Sequence, residues 1–242
     1  MKNLLLMIGF LGLLPTANAY IPPATYILNR IVQSHEHFKT IELDGVVTDL
    51  RTHQIFREVA RIDFLSGKIQ LMYLNETGSV IGDGHVKLNE IHPYGLAWYG
   101  VGLDSNAARV RGDLQALGIT IKDEMGSKLT RLVGRPVWDI GETAILRVEK
   151  DQFAFAGLME NSNNEIQVLE FTGGGIPLPR ILKFKKDGTD LFSYEMKSFR
   201  INIPYKSSFF ASHAISLSGG ASSDSSSIVG QATTQEWSSL VH

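Results

Sequence analysis

The stretch FTGGGIPLPRILKFKKDGTDL, residues Phe171–Leu191, contains the pattern that decides the fold. Pro177 and Pro179 have no N–H to donate to a β ladder, so each belongs at the start of a strand or on an edge strand. The glycines before them let the chain bend sharply. We therefore predict that a strand begins at these prolines, at the rim of an unclosed sheet, and that a hairpin turn follows at Lys185–Gly188.

Segments with strand-like alternation lie on both sides of this stretch. Three or four of them follow one another between residues 41 and 88, and Asp83-Gly84 within the last indicates a hairpin turn. Six more follow Pro136, and the opening stretch supplies the fifth of these. Consecutive short strands joined by tight turns predict an antiparallel meander.

A helix is predicted to precede the strands. It begins at Ala24 after two prolines and ends near Lys39, because apolar residues recur there at helical spacing. These residues are Ala24, Ile27, Leu28, Ile31, Val32 and Phe38.

A second helix is predicted to interrupt the strands, with Asp104 or Ser105 as its N-cap. Residues 125–136 fit a short helix, a turn or a strand. A sheet of this size has to curl. The predicted fold is therefore of the α+β class: a single curved antiparallel sheet, an open half-barrel, with helices covering its concave face.

The two ends of the chain differ from its middle. Residues 1–19 have the pattern of a secretory signal, in which Lys2 precedes an apolar run too short to span a bilayer and Ala17-Asn18-Ala19 fits a cleavage site. Residues 212–242 are rich in Ser and Gly and bury too little apolar surface to offset their ordering entropy, so a disordered tail is predicted. Residues 20–211 would then be one exported domain, for which the periplasm fits best and extracellular release is the alternative.

The composition excludes several classes of protein. The chain contains no cysteine, which excludes a disulfide framework, a thiolate metal site and a lipid-modified cysteine. The formal net charge is −2, so neither nucleic acid nor an anionic membrane is indicated as a partner.

No pattern in the sequence indicates an enzyme. His35-Glu36-His37 lacks the i, i+4 spacing with which helical histidines bind zinc, and we interpret it as an exposed helix end. Gly82-Asp83-Gly84 and Gly173-Gly174-Gly175 are not followed by a helix or by Lys-Ser/Thr, so neither is a phosphate loop. We expect no catalytic residue, no metal site and no cofactor.

Apolar side chains at alternating positions of several strands, together with two positions on the first helix, define a candidate ligand-binding groove on one face of the sheet. The same side chains would form an ordinary core if the helices fill that groove. The candidate groove residues are Ile27, Ile31, Phe64, Ile69, Leu71, Tyr73, Phe153, Phe155, Phe192, Tyr194 and Met196.

The second half of the chain resembles a known family. EIQVLEFT, the glycine break and IPLPRILKFKKDGTDLFSYEMKSFRINIPYKSSFF resemble the C-terminal half of the periplasmic outer-membrane lipoprotein-sorting proteins, the LolA/LolB-like superfamily. Asn202-Ile203-Pro204 running on to Phe209 resembles the family's Asn-x-x-Pro…Phe pattern, one residue shorter. Lys150–Phe153 resembles the turn between a pair of its strands. The resemblance covers residues 23–210.

The resemblance implies a carrier of lipoprotein acyl chains, or of another lipid, with a membrane-bound donor and a membrane-bound acceptor. A chain of about sixteen carbons needs roughly 12 kcal/mol of shelter from water, which only a broad apolar concavity supplies. The sequence departs from the family where an Arg-Pro pair follows the first hairpin, because Leu65–Lys68 stands there instead. Arg61 is the nearest arginine.

Two hypotheses follow from these patterns. The first is a periplasmic carrier or binder of a lipidated or hydrophobic ligand, which requires an apolar pocket of at least roughly 300 Å³ between helices and sheet. The second is a non-catalytic envelope scaffold in which the groove is filled and a protein partner is contacted.

Overall fold

The structure is a computed structural model, and it describes residues 21–206, 209–210, 216–217 and 233–240. Within these ranges twelve strands form one sheet. They are β1 (Thr40–Asp49), β2 (Ile55–Asp63), β3 (Lys68–Leu74), β4 (Val80–Lys87), β5 (Lys128–Leu132), β6 (Arg135–Ile140), β7 (Ile145–Glu149), β8 (Phe155–Asn161), β9 (Asn164–Phe171), β10 (Pro179–Lys186), β11 (Thr189–Ile201) and β12 (Ser216–Leu217). The predicted signal segment lies outside the described residues.

The strands are arranged in the order β12-β4-β3-β2-β1-β11-β10-β9-β8-β7-β6-β5. Neighbours pair in antiparallel fashion, and β1 joins the two meanders by pairing with β2 on one side and with β11 on the other. The strands at the two ends, β5 and β12, do not pair with each other, so the sheet is open. The predicted α+β fold with one curved, unclosed antiparallel sheet is confirmed.

Helices cover one face of the sheet, which we call the concave face. They are α1 (Ala24–Ser34), a 3₁₀ turn (Leu88–Glu90), α2 (Pro93–Gly95), which continues as a π-helix (Leu96–Val101), α3 (Ala107–Ala116) and α4 (residues 233–240). None of the helices in the described ranges has the length and apolar character that crossing a bilayer requires.

The side chains of β2 show how the two faces of the sheet differ. Phe56, Glu58 and Ala60 point to the concave face and are buried, whereas Arg57 and Arg61, at odd-numbered positions of the same strand, point to the outer face. On the outer face each arginine pairs with a carboxylate of β1, Asp44 or Glu42. The alternation therefore places a carboxylate, Glu58, in an otherwise apolar row.

The prediction that a strand begins at the prolines of the opening stretch is confirmed for Pro179. Pro179 begins β10, and Phe171 of β9 is opposite it. The turn at Asp187-Gly188 has positive φ angles of 50° and 78°, as a tight hairpin requires. The prediction of a rim position is wrong, because β10 lies between β9 and β11 in the interior of the sheet. Pro179 is accommodated there as the first residue of its strand.

Three local predictions are also corrected. Asp83-Gly84 lies inside β4, and the preceding turn is organised by the side chain of Asn75, which accepts hydrogen bonds from the N–H groups of Thr77 and Ser79. Helix α1 ends at Ser34 rather than near Lys39.

The N-cap of α3 is Asn106, whose side chain accepts from the N–H groups of Ala108 and Arg109 at 3.0 Å each. Asp104, which was a predicted cap, is buried and instead binds Arg109 Nε at 2.6 Å. Residues 128–132, which fitted several structures, form the edge strand β5.

Tyr205 and Phe209, which follow β11, lie against the outer face of the sheet. The hydroxyl of Tyr205 lies 3.4 Å from Glu42, and Arg61 lies 5.8 Å from the ring centroid of Phe209. Strand β12 then pairs with the edge strand β4. Helix α4 packs on the concave face, where Trp237 is buried.

This course differs from the predicted disordered tail over residues 212–242 at the residues that the structure describes there. Residues 216–217 are paired with β4, and residues 233–240 are helical with Trp237 fully buried. The physical reason is that Trp237 and Leu240 pack against the apolar core of the sheet. The composition of a Ser- and Gly-rich segment does not reveal such a distant contact. The other residues of 212–242 lie outside the described ranges.

Candidate functional site

The residues predicted to line a groove form the interior beneath the helices. Ten of the eleven are at most 4% exposed; they are Ile27, Ile31, Phe64, Ile69, Leu71, Tyr73, Phe155, Phe192, Tyr194 and Met196. All ten belong to one continuous core that also includes Trp98, Tyr99 and Trp237. The side chains are thus brought together on one face, but in this state they are covered.

Phe153 differs from the other ten, because it is only partly buried and packs against the core that they form. It occupies the turn between β7 and β8, with a positive φ of 55°, and not an alternating strand position. Its half-buried ring meets Tyr26 at a centroid distance of 5.9 Å and Arg30 at 5.4 Å, both on α1. Its ring contacts are therefore with the outer side of the helix that covers the groove.

Trp237 of α4 occupies an aromatic chamber on the concave face, built by strands β2, β10 and β11. Its ring centroid lies 4.7 Å from Phe184, 5.3 Å from Phe192 and 6.5 Å from Phe56, each in an edge-to-face arrangement. The ring of Tyr194 stacks on it at 6.4 Å with an interplanar angle of 7°. A tryptophan buries roughly 150–250 Å² in such a position, and Trp237 is the largest buried side chain of α4.

Glu58 forms the polar floor of the chamber. Its side chain is fully buried, and Oε2 accepts a hydrogen bond of 2.7 Å from Nε1 of Trp237. Oε1 accepts from the hydroxyl of Tyr99, which the π-helix places above β2. Burial raises the pKa of the Glu58 carboxyl to about 7, although both hydrogen bonds act in the opposite direction.

Tyr194 lies against the neighbouring strand. Gly45 of β1 is the residue directly opposite Glu58, and a Cβ atom at Gly45 would overlap the ring and the hydroxyl of Tyr194. The missing side chain of Gly45 is therefore what admits the tyrosine ring. Within the described part of the chain, the buried Tyr194 hydroxyl and the nearby indole N–H of Trp98 have no hydrogen-bond partner.

Polar contacts at the edge of the chamber also attach α4 to the sheet. Arg51 donates to both carboxylate oxygens of Glu236, at 3.0 and 2.7 Å, and also binds the buried Asp49. The hydroxyl of Thr233 lies 2.9 Å from Gln54 Oε1. These contacts connect α4 to the turn between β1 and β2.

The arrangement can hold a molecule with an apolar body and a polar end. The four rings around Trp237 provide the apolar surface, the Glu58 carboxyl accepts a hydrogen bond, and the Tyr194 hydroxyl is a free donor among the described residues. Ligand sites in proteins commonly combine such a lining with a few converging polar groups. A buried carboxyl whose pKa is strongly raised is a further indication of a functional site.

Arg61 and His35 lie outside the chamber. Arg61 points to the outer face, where Nε binds Glu42 at 2.7 Å and Nη1 binds Gln70 at 3.0 Å, and so it does not contact the covering helices. His35 is buried beside Phe38, contrary to the prediction of an exposed helix end, whereas Glu36 and His37 are exposed.

The surface cavities of the described residues include two that none of the eleven candidate groove residues lines. The first, of about 430 Å³, lies where Lys39, Lys68 and Tyr205 meet. The second, of about 660 Å³, lies between residues 118–126 and 141–143. Neither is the pocket between helices and sheet that the carrier hypothesis requires.

Glu58 and Trp237 were not among the predicted site residues. Glu58 had a signal, because it stands between Phe56 and Ala60 at a position where the period of two places an inward side chain. No sequence pattern pointed to Trp237, except that it is the one tryptophan in the polar segment 212–242. Tyr99 lies in the apolar stretch PYGLAWYGVGL, whose lack of any period gave no element to place it on.

Comparison with known proteins gives similarity in structure alone. No family model matches the chain, and no curated protein matches it in sequence. Similar solved structures include a DUF1329 family protein from Desulfovibrio piger ATCC 29098, with a TM-score of 0.43, 8% identity and coverage of 78% of this chain and 97% of that one.

A second similar structure is a "putative outer membrane lipoprotein-sorting protein domain" from Vibrio parahaemolyticus, with a TM-score of 0.47, 5% identity and coverage of 77% and 95%. A third is in the Pseudomonas aeruginosa MucA/MucB complex, with a TM-score of 0.30, 12% identity and coverage of 78% and 61%. The second of these belongs to the class that the sequence resembles. At these identities the likeness concerns the backbone arrangement and transfers no function.

Proposed function

We propose that the protein is a non-enzymatic carrier or binder of a hydrophobic or lipidated ligand in the cell envelope, and that the aromatic chamber is its ligand site. In this structure α4 occupies that site. The proposal keeps the exported, periplasmic location and the membrane-bound donor and acceptor that the sequence patterns imply.

One observation supports this proposal above the others: the interior of the half-barrel is completed by a side chain from outside the half-barrel. Trp237 is fully buried among residues of β2, β10 and β11, yet it belongs to a helix that follows the last long strand by some thirty residues. Its contacts are those of a bound ligand, namely an apolar body on four rings and one hydrogen bond to a buried carboxyl.

A second candidate function is supported by the burial of the groove residues. Because ten of them are almost inaccessible, a hydrophobic ligand can enter only after α4 has left. If α4 stays in place under all conditions, the protein is an envelope scaffold with a filled groove, and its contacts with a partner are made by its surface.

The experiment that separates the two is native mass spectrometry of full-length protein purified from envelope membranes, in wild-type form and as Trp237→Ala. The carrier proposal predicts lipid bound to the Trp237→Ala variant at a clearly higher occupancy than to the wild type. Trp138→Ala is the matched control, because Trp138 is a nearly buried tryptophan of β6 outside the chamber.

Equal occupancy in the Trp237→Ala and Trp138→Ala variants would mean that lipid binds to loosened protein in general. No lipid in any variant would favour the scaffold. Hydrogen exchange of residues 233–240 in the presence of membrane lipid gives a second readout, since displacement of α4 exposes its backbone amides.

A further inference from the structure

The contacts of Trp237 describe the chemistry of the molecule that can replace it. We infer that the aromatic chamber is selective for a neutral apolar ligand that donates a hydrogen bond, through N–H or O–H, to Glu58. The inference rests on the proposed function in treating the chamber as a ligand site, and it adds the class of ligand.

The floor of the chamber supplies a hydrogen-bond acceptor. When α4 leaves, Glu58 Oε2 loses the indole donor at 2.7 Å and keeps the Tyr99 hydroxyl on its other oxygen. A buried carboxyl oxygen without a partner is costly, so a ligand that restores this hydrogen bond is favoured over one that cannot.

The side chains in ring contact with Trp237, and the tyrosine hydroxyl that donates to Glu58, carry no positive charge. They are aromatic rings and hydroxyls, namely Phe56, Tyr99, Phe184, Phe192 and Tyr194. Arg51 is a cation at the rim, 5.6 Å from the ring centroid of Phe192, and it keeps its pairing with the buried Asp49 when α4 leaves with Glu236. A ligand with its anionic end at the floor of the chamber would meet the Glu58 carboxyl, which has no cation among its hydrogen-bond partners in the described residues.

Tyr194 of β11 supplies a donor beside this acceptor. Its hydroxyl lies against Gly45 of β1, the residue that pairs with Glu58 of β2. This hydroxyl has no hydrogen-bond partner within the described residues. Buried polar groups in native proteins are nearly always satisfied. A ligand with both a donor for Glu58 and an acceptor for Tyr194 would satisfy both groups, which Trp237 alone does not.

The test uses the full chain with Trp237→Ala, and indole as the probe. Removing a large side chain from an apolar interior leaves a cavity that can stay dry and bind an aromatic molecule of matching size. We expect indole to raise the Tm of this variant and 1-methylindole, which has the same body without the N–H, to bind at least about tenfold more weakly. Wild-type protein, whose chamber is filled, should show no shift with either probe.

The double variant Trp237→Ala, Glu58→Leu tests the role of the acceptor. It should bind the two probes with similar Kd values, because the N–H then has no acceptor. Should Trp237→Ala not fold alone, the same titration is followed as the folded fraction by circular dichroism, with folding dependent on indole as the expected result. Equal affinity of both probes for the single variant, or no binding of either probe, would overturn the inference.

The outcomes are separable from those of the lipid experiment. Indole selectivity without co-purified lipid would support the chemistry of the chamber and contradict its use as a lipid site. Co-purified lipid without indole selectivity would support the carrier and contradict the role given to Glu58.

Discussion

The indole N–H of Trp237 donates to Oε2 of Glu58 at 2.7 Å, across a sequence separation of 179 residues. The bond joins a helix near one end of the chain to the inward face of a strand near the other. Both partners are fully buried, so it is formed where water cannot compete and where loss of either partner is costly. The stability of the covered chamber therefore depends on this contact.

Trp237→Ala should lower the free energy of unfolding by about 3–5 kcal/mol, because it leaves a cavity and removes the donor to Glu58. Trp237→Phe should cost less, since it retains an aromatic body against the rings of the chamber. Both values can be measured by urea denaturation followed by circular dichroism. A loss below about 1 kcal/mol for Trp237→Ala would show that α4 contributes little to the fold.

The pH dependence of stability should contain a contribution from Glu58. Its pKa is raised to about 7 by burial, from an ordinary value of 4.5. The folded protein therefore holds this proton up to about pH 7 while the unfolded chain releases it above pH 4.5, so stability falls as the pH rises through this interval, by about 3 kcal/mol.

Glu58→Gln should remove that fall. Glutamine cannot ionise, its oxygen can accept from Trp237, and its amide can donate to the Tyr99 hydroxyl. Denaturation at pH 5 and pH 8 should show the variant gaining stability relative to the wild type at the higher pH. A constant difference between the two proteins would contradict the ionisation of Glu58 in this range.

His35 should contribute with the opposite sign. Burial lowers the pKa of its imidazole from 6.5 to about 4, so the unfolded chain takes up this proton as the pH falls below 6.5 while the folded protein does not. Stability from this residue is therefore lost between pH 6.5 and 4, by about 3 kcal/mol.

His35→Leu should make the protein more resistant to acid in that interval. His37→Leu is the control, since it makes the same change two residues away at a side chain that is 84% exposed. Guanidinium denaturation at several pH values between 4 and 7 measures the effect. An equal response of the two variants would exclude burial of His35 as the cause.

Gly45→Ala should destabilise the protein by about 1–3 kcal/mol, as overpacking of a filled interior commonly does. The new methyl group would overlap the ring of Tyr194. In a Tyr194→Leu background the same change should cost less, which a double-mutant cycle detects.

Gly112→Ala provides the contrast to Gly45→Ala. It lies on the exposed side of α3, where a methyl group at this position would have no neighbouring atom within 4 Å, and it should stabilise the helix by about 0.5–1 kcal/mol. Similar effects of the two substitutions would argue against the close approach of Tyr194.

The ion pairs at the rim should differ in their effect. Glu236→Ala removes a largely exposed partner and should cost at most about 1 kcal/mol. Arg51→Ala also removes a partner of Asp49, whose side chain is 1% exposed, and should cost about 1.5–3 kcal/mol. Urea denaturation compares them, and a larger loss for Glu236→Ala would contradict this order.

Much of the sheet could be predicted from the sequence because its strands alternate regularly. The side chains of β2 alternate between faces as their pattern indicates, and Pro179 starts a strand because it cannot donate to a ladder. The position of that strand within the sheet could not be predicted, since it depends on the pairing of β1 with β11, which are about 150 residues apart.

The candidate site could be predicted only in part. The apolar residues of β3 and β11 were identified by their alternation, and they do share the concave face. The π-helix that carries Tyr99 is apolar all round, so it has no amphipathic period to recognise. The binding position of Trp237 is formed by side chains of three strands that are distant in sequence, β2, β10 and β11. No local sequence pattern predicts such a surface.

The order of the chamber's parts along the chain has a consequence for folding. Strands β2, β10 and β11 all precede α4, so a chain that emerges from its N-terminal side can assemble the sheet before residues 233–240 arrive. Until then the sheet presents Phe184, Phe192 and Tyr194 without their cover. The folding protein is therefore most prone to aggregation, and to capture by chaperones, before α4 has docked.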